Sequence, residues 1–587
     1  MIDGRMTRDS ALFVIDGGRG LVSHAVPECL VPLTLDLMNL SHALIIALLA
    51  SSFAACSRKP EEPPKPKTAA TAAASSQTVG AQVDPDSHHD DAIAWRRGDV
   101  DAAFAEAKAA NKPVFLYWGA TWCPPCNQVK ATLFNKREFI ERTQSFVPVY
   151  VDGDTPAAQK IGTRFSVSGY PTMVLFKPDG TEVTRLPGEA DPERYLQMLA
   201  LGMSATRPMR ETLKSAMADG KGLSADDWRM LAWYSWDTDD QQLVQTARVP
   251  AMLKTLAAHC PADYGDVRTR LMLKASAAAG EMKDHSKAAL ASIEAVLASP
   301  KSARENFDML TNAMPEIVRA TTAAASAERA KFIADADGAL ARLAADATLS
   351  NTDRLGATIA RVQLATIDVK PAAVDHQRNV KAAPVSIPNT LRAEVRAEAA
   401  RADRESNDPY ERQTVINAAA YLLTSAGLID ESDTLLKSEL TRSRSPYYFM
   451  LDLASNAKKR GDKAAAIDWT AKAYDAAEGP ATRLQWGATY IIALIELSPD
   501  DAARIERAAS QVIGEVEPVP TSFDGRNRKS LSRMATKIAT WNAKGAHAAV
   551  ATRISDRSRA LCARLPTDAP ERARCGELLK VVPAKSV

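Results

Sequence analysis

Between Pro113 and Trp118 the chain reads PVFLYW, an unbroken apolar run of strand length, followed almost at once by Trp122-Cys123-Pro124-Pro125-Cys126. A strand that is apolar on both faces has to be covered on both. Two successive prolines lack the N–H groups a helix interior needs, and the first turn is where that loss is tolerated. The stretch therefore predicts a central strand that feeds directly into a helix. On either side the alternation continues. Asp99 to Ala110, Asn127 to Arg142 and Thr155 to Phe165 read as helices, and Phe146 to Val151 as a second buried strand. Thr172 to Phe176 and Thr181 to Arg185 flank Pro178-Asp179-Gly180, a turn signal that makes them a hairpin. Asp191 to Ala200 closes the unit as a helix capped by Asp191. The order α-β-α-β-α-β-β-α over residues 93–202 predicts an α/β sandwich.

The two cysteines carry the chemistry. Cys123 stands at the start of a helix, where unpaired N–H groups and the helix dipole stabilise a thiolate and lower its pKa. That makes it the nucleophile. Cys126, one turn further in on the same face, resolves the mixed disulfide. Trp122 packs beside the sulfurs and shields them. Read instead as a structural disulfide, the pair closes a tiny loop and stabilises little. Read as half of a zinc site, it has no second CxxC or His pair nearby, so no metal is expected.

A strand, then W-C-x-x-C opening a helix, then Gly169-Tyr170-Pro171-Thr172 resembles the thioredoxin superfamily. The resemblance implies a thioredoxin fold and a disulfide oxidoreductase that needs no cofactor. It further implies a cis peptide at Pro171, opposite the active sulfur. Beside it the backbone of Tyr170, with Thr172 following, would pair with an extended substrate segment. Within the superfamily, KPVFLYWGATWCPPCNQVKATLFNKREFI is most similar to the periplasmic thioredoxin-like domains that terminate transmembrane thiol reductases. The family's buried acid falls at Tyr117 here, and its lysine partner near Pro148, so proton transfer at Cys126 must use another group or water. The Tyr117 phenol is a weak candidate for it. Strong oxidants and isomerases carry His within the motif and sit at about −120 to −180 mV. Pro-Pro supplies no such charge, so a couple nearer about −270 mV is expected, with a disulfide oxidase or isomerase as the other reading.

The N-terminus bears on location. ALIIALLA at 43–50, too short to span a bilayer, suits the apolar part of a cleavable signal peptide, with a short buried helix as the other reading. Ala54 and Ala55 before Cys56 resemble a bacterial lipobox, although Phe53 replaces its usual Leu. The resemblance implies a signal peptide over 38–55, lipid on Cys56 and a protein anchored to a membrane in the periplasm. Ser57 after that cysteine points to the outer membrane. Residues 1–37 read as an extension ahead of a true start at Met38, and 56–92, rich in Pro, Ala, Ser and charge, as a disordered tether. His88 and His89 on that tether lack the geometry to hold a metal. A formal net charge of +2 offers no field for nucleic acid.

From 206 to 587 the chain turns Ala-rich and helical in spacing, predicting an all-α region. Gly427 and Gly461 mark a helix-turn-helix repeat, and tetratricopeptide-like units are expected over 413–480, with a plain bundle as the alternative. Such a solenoid offers a concave surface to a partner. Trp228, Trp233, Tyr234 and Trp236 read as core, and Cys260 as a buried spectator thiol. Cys562 and Cys575 flank a turn and are placed to bridge two antiparallel helices, worth about 3 kcal/mol by chain entropy. The reading that results is an envelope reductase of disulfide-containing exported proteins, re-reduced by a membrane thiol relay. A helical scaffold with an accessory redox domain is its rival.

Overall fold

A computed structural model describes residues 92–578 apart from 168, 187, 189–191, 237–238, 240–241, 280–286 and 370–384. The expectations for the extension at 1–37, the signal peptide at 38–55, the lipidated Cys56, His88, His89 and all but the last residue of the 56–92 tether lie outside the described residues.

The first part runs β1 (Arg96–Arg97), α1 (Val100–Ala110), β2 (Val114–Gly119), α2 (Pro124–Val129), α3 (Arg137–Arg142), β3 (Val147–Asp152), α4 (Pro156–Arg164), β4 (Thr172–Phe176), β5 (Glu182–Leu186) and α5 (Pro192–Ser204). The sheet has the order β1-β3-β2-β4-β5. β3 runs parallel to β1 and β2, while β4 is antiparallel to β2 and β5. The central strand is β2, buried along its whole length as its composition requires. α1 begins at Asp99, whose carboxylate accepts the Ala102 N–H at 3.0 Å, and ends at Asn111 in the left-handed region at φ 51°. The result is an α/β sandwich, the fold that the resemblance implies.

Two local expectations are corrected. The single helix read over Asn127 to Arg142 is broken into α2, a π-helical turn at Lys130–Phe134, and α3. A regular helix would splay Phe134 and Phe139 around its axis. The break lets both rings reach the sheet, 5.0 Å apart, against Tyr117 and Phe115 respectively. The edge strand β1 was not expected, because two adjacent arginines carry no periodicity. Asp191, expected to cap α5, lies outside the described residues.

Beyond α5 every described element from Met209 to Leu578 is helical, as the composition predicts. Trp228, Trp233, Tyr234 and Trp236 are buried in it. Gly427 and Gly461 follow their helices at φ 79° and 80°, a conformation that favours glycine. Cys562 and Cys575 are bridged, joining the helices Ala548–Ala563 and Pro570–Leu578. Cys260 is buried, and desolvation pushes its thiol up to about 11.

The two parts are bolted together at Arg185 on β5, whose side chain is fully buried. Its guanidinium donates to Glu182 at 2.8 Å, to the Ser166 carbonyl at 2.8 Å, to the Phe165 carbonyl, and to Gln242 of the helical region at 2.6 Å. Its own carbonyl accepts the Ser235 N–H at 3.2 Å. Arg185→Met leaves a carboxylate and three carbonyl oxygens short of a donor in a buried place, and a cost of about 3–5 kcal/mol is expected. Urea unfolding of the full chain followed by circular dichroism measures it.

Candidate active site

The end of β2 delivers the chain to α2 through Ala120-Thr121-Trp122. Asn127 ties this turn shut by donating from its side chain to the Thr121 carbonyl at 3.0 Å. Cys123 is the N-cap residue of α2, in extended backbone (φ −75°, ψ 115°), and its Sγ accepts the Cys126 N–H at 3.3 Å. Pro124 and Pro125 fill the first turn, where no N–H is missed. Cys123 and Cys126 are bridged, with Cα atoms 5.2 Å apart.

Opposite the sulfurs stands the loop before β4. The Tyr170–Pro171 peptide bond is cis. Thr172 donates to the Gly169 carbonyl at 2.8 Å, and Tyr170 to the Gly153 carbonyl at 3.3 Å. The Tyr170 ring stacks on Trp118 and meets Trp122 edge-on, each at 5.8 Å between centroids. Tyr170 fits only because residue 153 is Gly, since a Cβ there would lie 2.2 Å from the phenol oxygen. The structure thus gathers Trp122, Cys123, Pro124, Pro125, Cys126, Tyr170, Pro171 and Thr172. Tyr117 stands in an aromatic box instead, stacked on Tyr150 at 5.3 Å and edge-on to Phe134 at 4.9 Å. The Cys562–Cys575 bridge belongs to the far end of the helical region.

A feature with no local sequence signal is the cover. Cys123 is only 3% exposed, Cys126 0%, Trp122 2% and Tyr170 5%. Trp122 stacks against Tyr448 at 6.0 Å and tilts against Trp486 at 5.3 Å. The Thr414 hydroxyl donates to the Pro124 carbonyl at 2.5 Å. The Arg526 guanidinium sits 4.7 Å over the Tyr170 ring, and the Arg526 N–H donates to Gln159 Oε1 at 2.8 Å. Beside Pro124 and Pro125 a cavity of ≈ 80 Å³ remains, lined also by Gln128, Thr414 and Asn417. The helical region expected to offer a surface to a partner packs against the chain's own redox domain. Sequence reading missed these residues because they stand hundreds of positions from the motif.

Asp154, just past β3, is an acidic group of this contact. The Thr482 hydroxyl donates to its carboxyl. Burial first, and neighbouring Asp152 second, push it from 3.8 up to about 8.

Residues 100–202 match the family described as Thioredoxin-like domain. A thioredoxin of Mycobacterium bovis is 35% identical over 102 residues, covering 17% of this chain and 84% of that protein. The thiol:disulfide interchange protein DsbD 1 of Pseudomonas aeruginosa is 32% identical over 100 residues, and the chain spans only 16% of that protein's length, using 16% of its own. A thioredoxin from Thermus thermophilus, solved in solution, is 28% identical over 18% of this chain and 86% of its own, with a TM-score of 0.17.

Two outcomes are expected from these contacts. Because folding raises Asp154 from 3.8 to about 8, the stability it contributes is full below the lower value and is lost as pH rises towards the upper one. Melting temperature should therefore fall over that range, and Asp154→Asn should flatten the slope. Gly153→Ala should displace the Tyr170 ring, seen as changed tryptophan fluorescence, and destabilise by about 1–3 kcal/mol.

Proposed function

The chain belongs, through residues 100–202, to the thioredoxin-like family, and on that premise we propose that it is an envelope disulfide reductase acting on exported proteins through Cys123 and Cys126. The observation that carries the reading is the bridged pair at the N-cap of α2, set against the cis Tyr170–Pro171 loop.

In the reduced form, Cys123 Sγ attacks one sulfur of a client disulfide. A Cys123–client bond forms, the client S–S bond breaks, and one client thiolate leaves. The Cys126 thiolate then attacks Cys123 Sγ, which forms the internal disulfide and releases the second client thiol. Two electrons pass to the client, and two protons from the medium complete its thiols. The Cys126 N–H that reaches Cys123 Sγ would hold a thiolate there equally well. Trp122 keeps water from the sulfurs, and the Tyr170 backbone pairs with the client segment.

Three features support the reducing direction and the envelope setting. Pro124 and Pro125 add no positive charge to favour the thiolate over the disulfide, unlike the His of strong oxidants. The similarity to a thiol:disulfide interchange protein points to a membrane thiol relay as electron donor. The apolar run before Cys56 suits export and a lipid anchor, on the outer membrane by Ser57. Among the described residues no helix is long and apolar enough to cross a membrane. Helix pairs closed by Gly427 and Gly461 fit tetratricopeptide-like units over 413–480.

Redox titration of the full chain against dithiothreitol, read by trapping free thiols, should give a two-electron couple near about −270 mV. Cys123→Ser should abolish it, while Cys126→Ser should keep a mixed disulfide with glutathione. A couple near about −120 mV would reverse the direction.

A further inference from the structure

We propose that the helical region is a closed gate over the chain's own redox centre, and that a protein disulfide reaches Cys123 only after the helices between Pro409 and Trp541 lift away. The proposal rests on the reading of Cys123 and Cys126 as a redox pair.

Thiol–disulfide exchange requires a client sulfur to approach Cys123 Sγ from outside the internal pair, and access is part of its rate. A client segment must also lie along Tyr170. In the structure both places are filled. The helices Pro409–Ser425, Pro446–Arg460, Pro480–Leu497 and Gly525–Trp541 each send a group to the site. These are Thr414 on the Pro124 carbonyl, Tyr448 and Trp486 on the Trp122 indole, Thr482 on Asp154, and Arg526 on the Tyr170 ring. Thr414 takes up a backbone acceptor of the active-site turn itself. Cover this broad leaves no room for a polypeptide.

At the gate Trp122, Cys123, Cys126 and Tyr170 share one apolar cluster with Tyr447, Tyr448 and Trp486, and apolar contact likewise holds the other end of the helical region. There, Arg185 is fully buried and held by four acceptors, and Met209, Leu213 and Trp228 share one apolar cluster with Met173, Leu175 and Leu186. At the gate, closing takes part of the water of the Asp154 carboxyl and sets the Thr482 hydroxyl on it, and opening restores that water. α2 meets the helix Asn351–Ala365 through Gln128, which donates to Asp353 Oδ1 at 3.0 Å, with a space of ≈ 80 Å³ left beside Pro124 and Pro125. One end of the helical region thus holds the sheet, and the other covers the motif that a client must reach.

The test uses the full chain, reduced with dithiothreitol, and reads the Cys123 peptide by mass spectrometry. Closed, Cys123 should react with a 5-kDa polyethylene glycol maleimide at least about 100-fold more slowly than a free thiol, as a closed fraction of 99% dictates. The double variant Tyr448→Ala, Trp486→Ala should raise both that rate and dithiothreitol-driven insulin reduction at least about tenfold. Its equilibrium between dithiol and disulfide should move less than about twofold, since neither residue carries a charge that would favour the thiolate. Wild-type Cys123 that reacts like a free thiol overturns the gate, as does a wild type that reduces insulin as fast as the double variant. If the variant does not fold, the wild-type maleimide rate decides alone. A chain whose Cys123–Cys126 bridge dithiothreitol cannot open at equilibrium, even in mild urea, overturns the redox reading and the gate with it.

Discussion

The burial of β2 is the constraint from which the rest follows. All six of its residues are enclosed, so the strand can sit only at the centre of the sheet, between β3 and β4. A central strand with parallel and antiparallel neighbours must release its chain at one edge of the sandwich, and there the turn through Trp122 places Cys123 at the cap of α2. The same edge receives the start of β4, which brings Tyr170 and Pro171 opposite. The site is geometry imposed by a buried strand, and its chemistry is added by a backbone N–H aimed at a sulfur.

Trp122 then links two environments. One side meets Tyr170 within the sandwich, and the other meets Tyr448 and Trp486 of the helical region. A large ring beside a nucleophile normally offers apolar surface to a client. Here that surface is already spent on the chain itself. In an oxidising compartment an open low-potential dithiol would lose its electrons to any passing disulfide. A cover that yields only to a suitable partner would conserve them, and it gives the long helical half a role that neither plain recruitment nor inert scaffolding supplies.

Much of the sandwich was legible because its signals are local. Strand-length apolar runs, the Pro-Asp-Gly turn and the Asp99 cap each act within a few residues, and strands β2 to β5 formed within a residue or so of their expected bounds. The break in the helix after Val129 was not legible, because it is set by where Phe134 and Phe139 must meet the sheet. Nor was the place of Tyr117, whose aromatic surroundings come from three separate elements. The helical half showed its class through composition, but not that it would pack over the motif.

By itself the sequence determined a thioredoxin-type sandwich with paired cysteines at a helix start, and a long all-helical sequel. Those outcomes depend on periodicity, proline chemistry and caps, all of which act over a few residues. Only the tertiary structure decided that the pair is covered, that Asp154 is desolvated, and that Thr414, Tyr448, Trp486 and Arg526 belong to the site. Such contacts join residues some 290 to 360 positions apart, and they arise from how successive helices pack on one another, which no short stretch of sequence encodes.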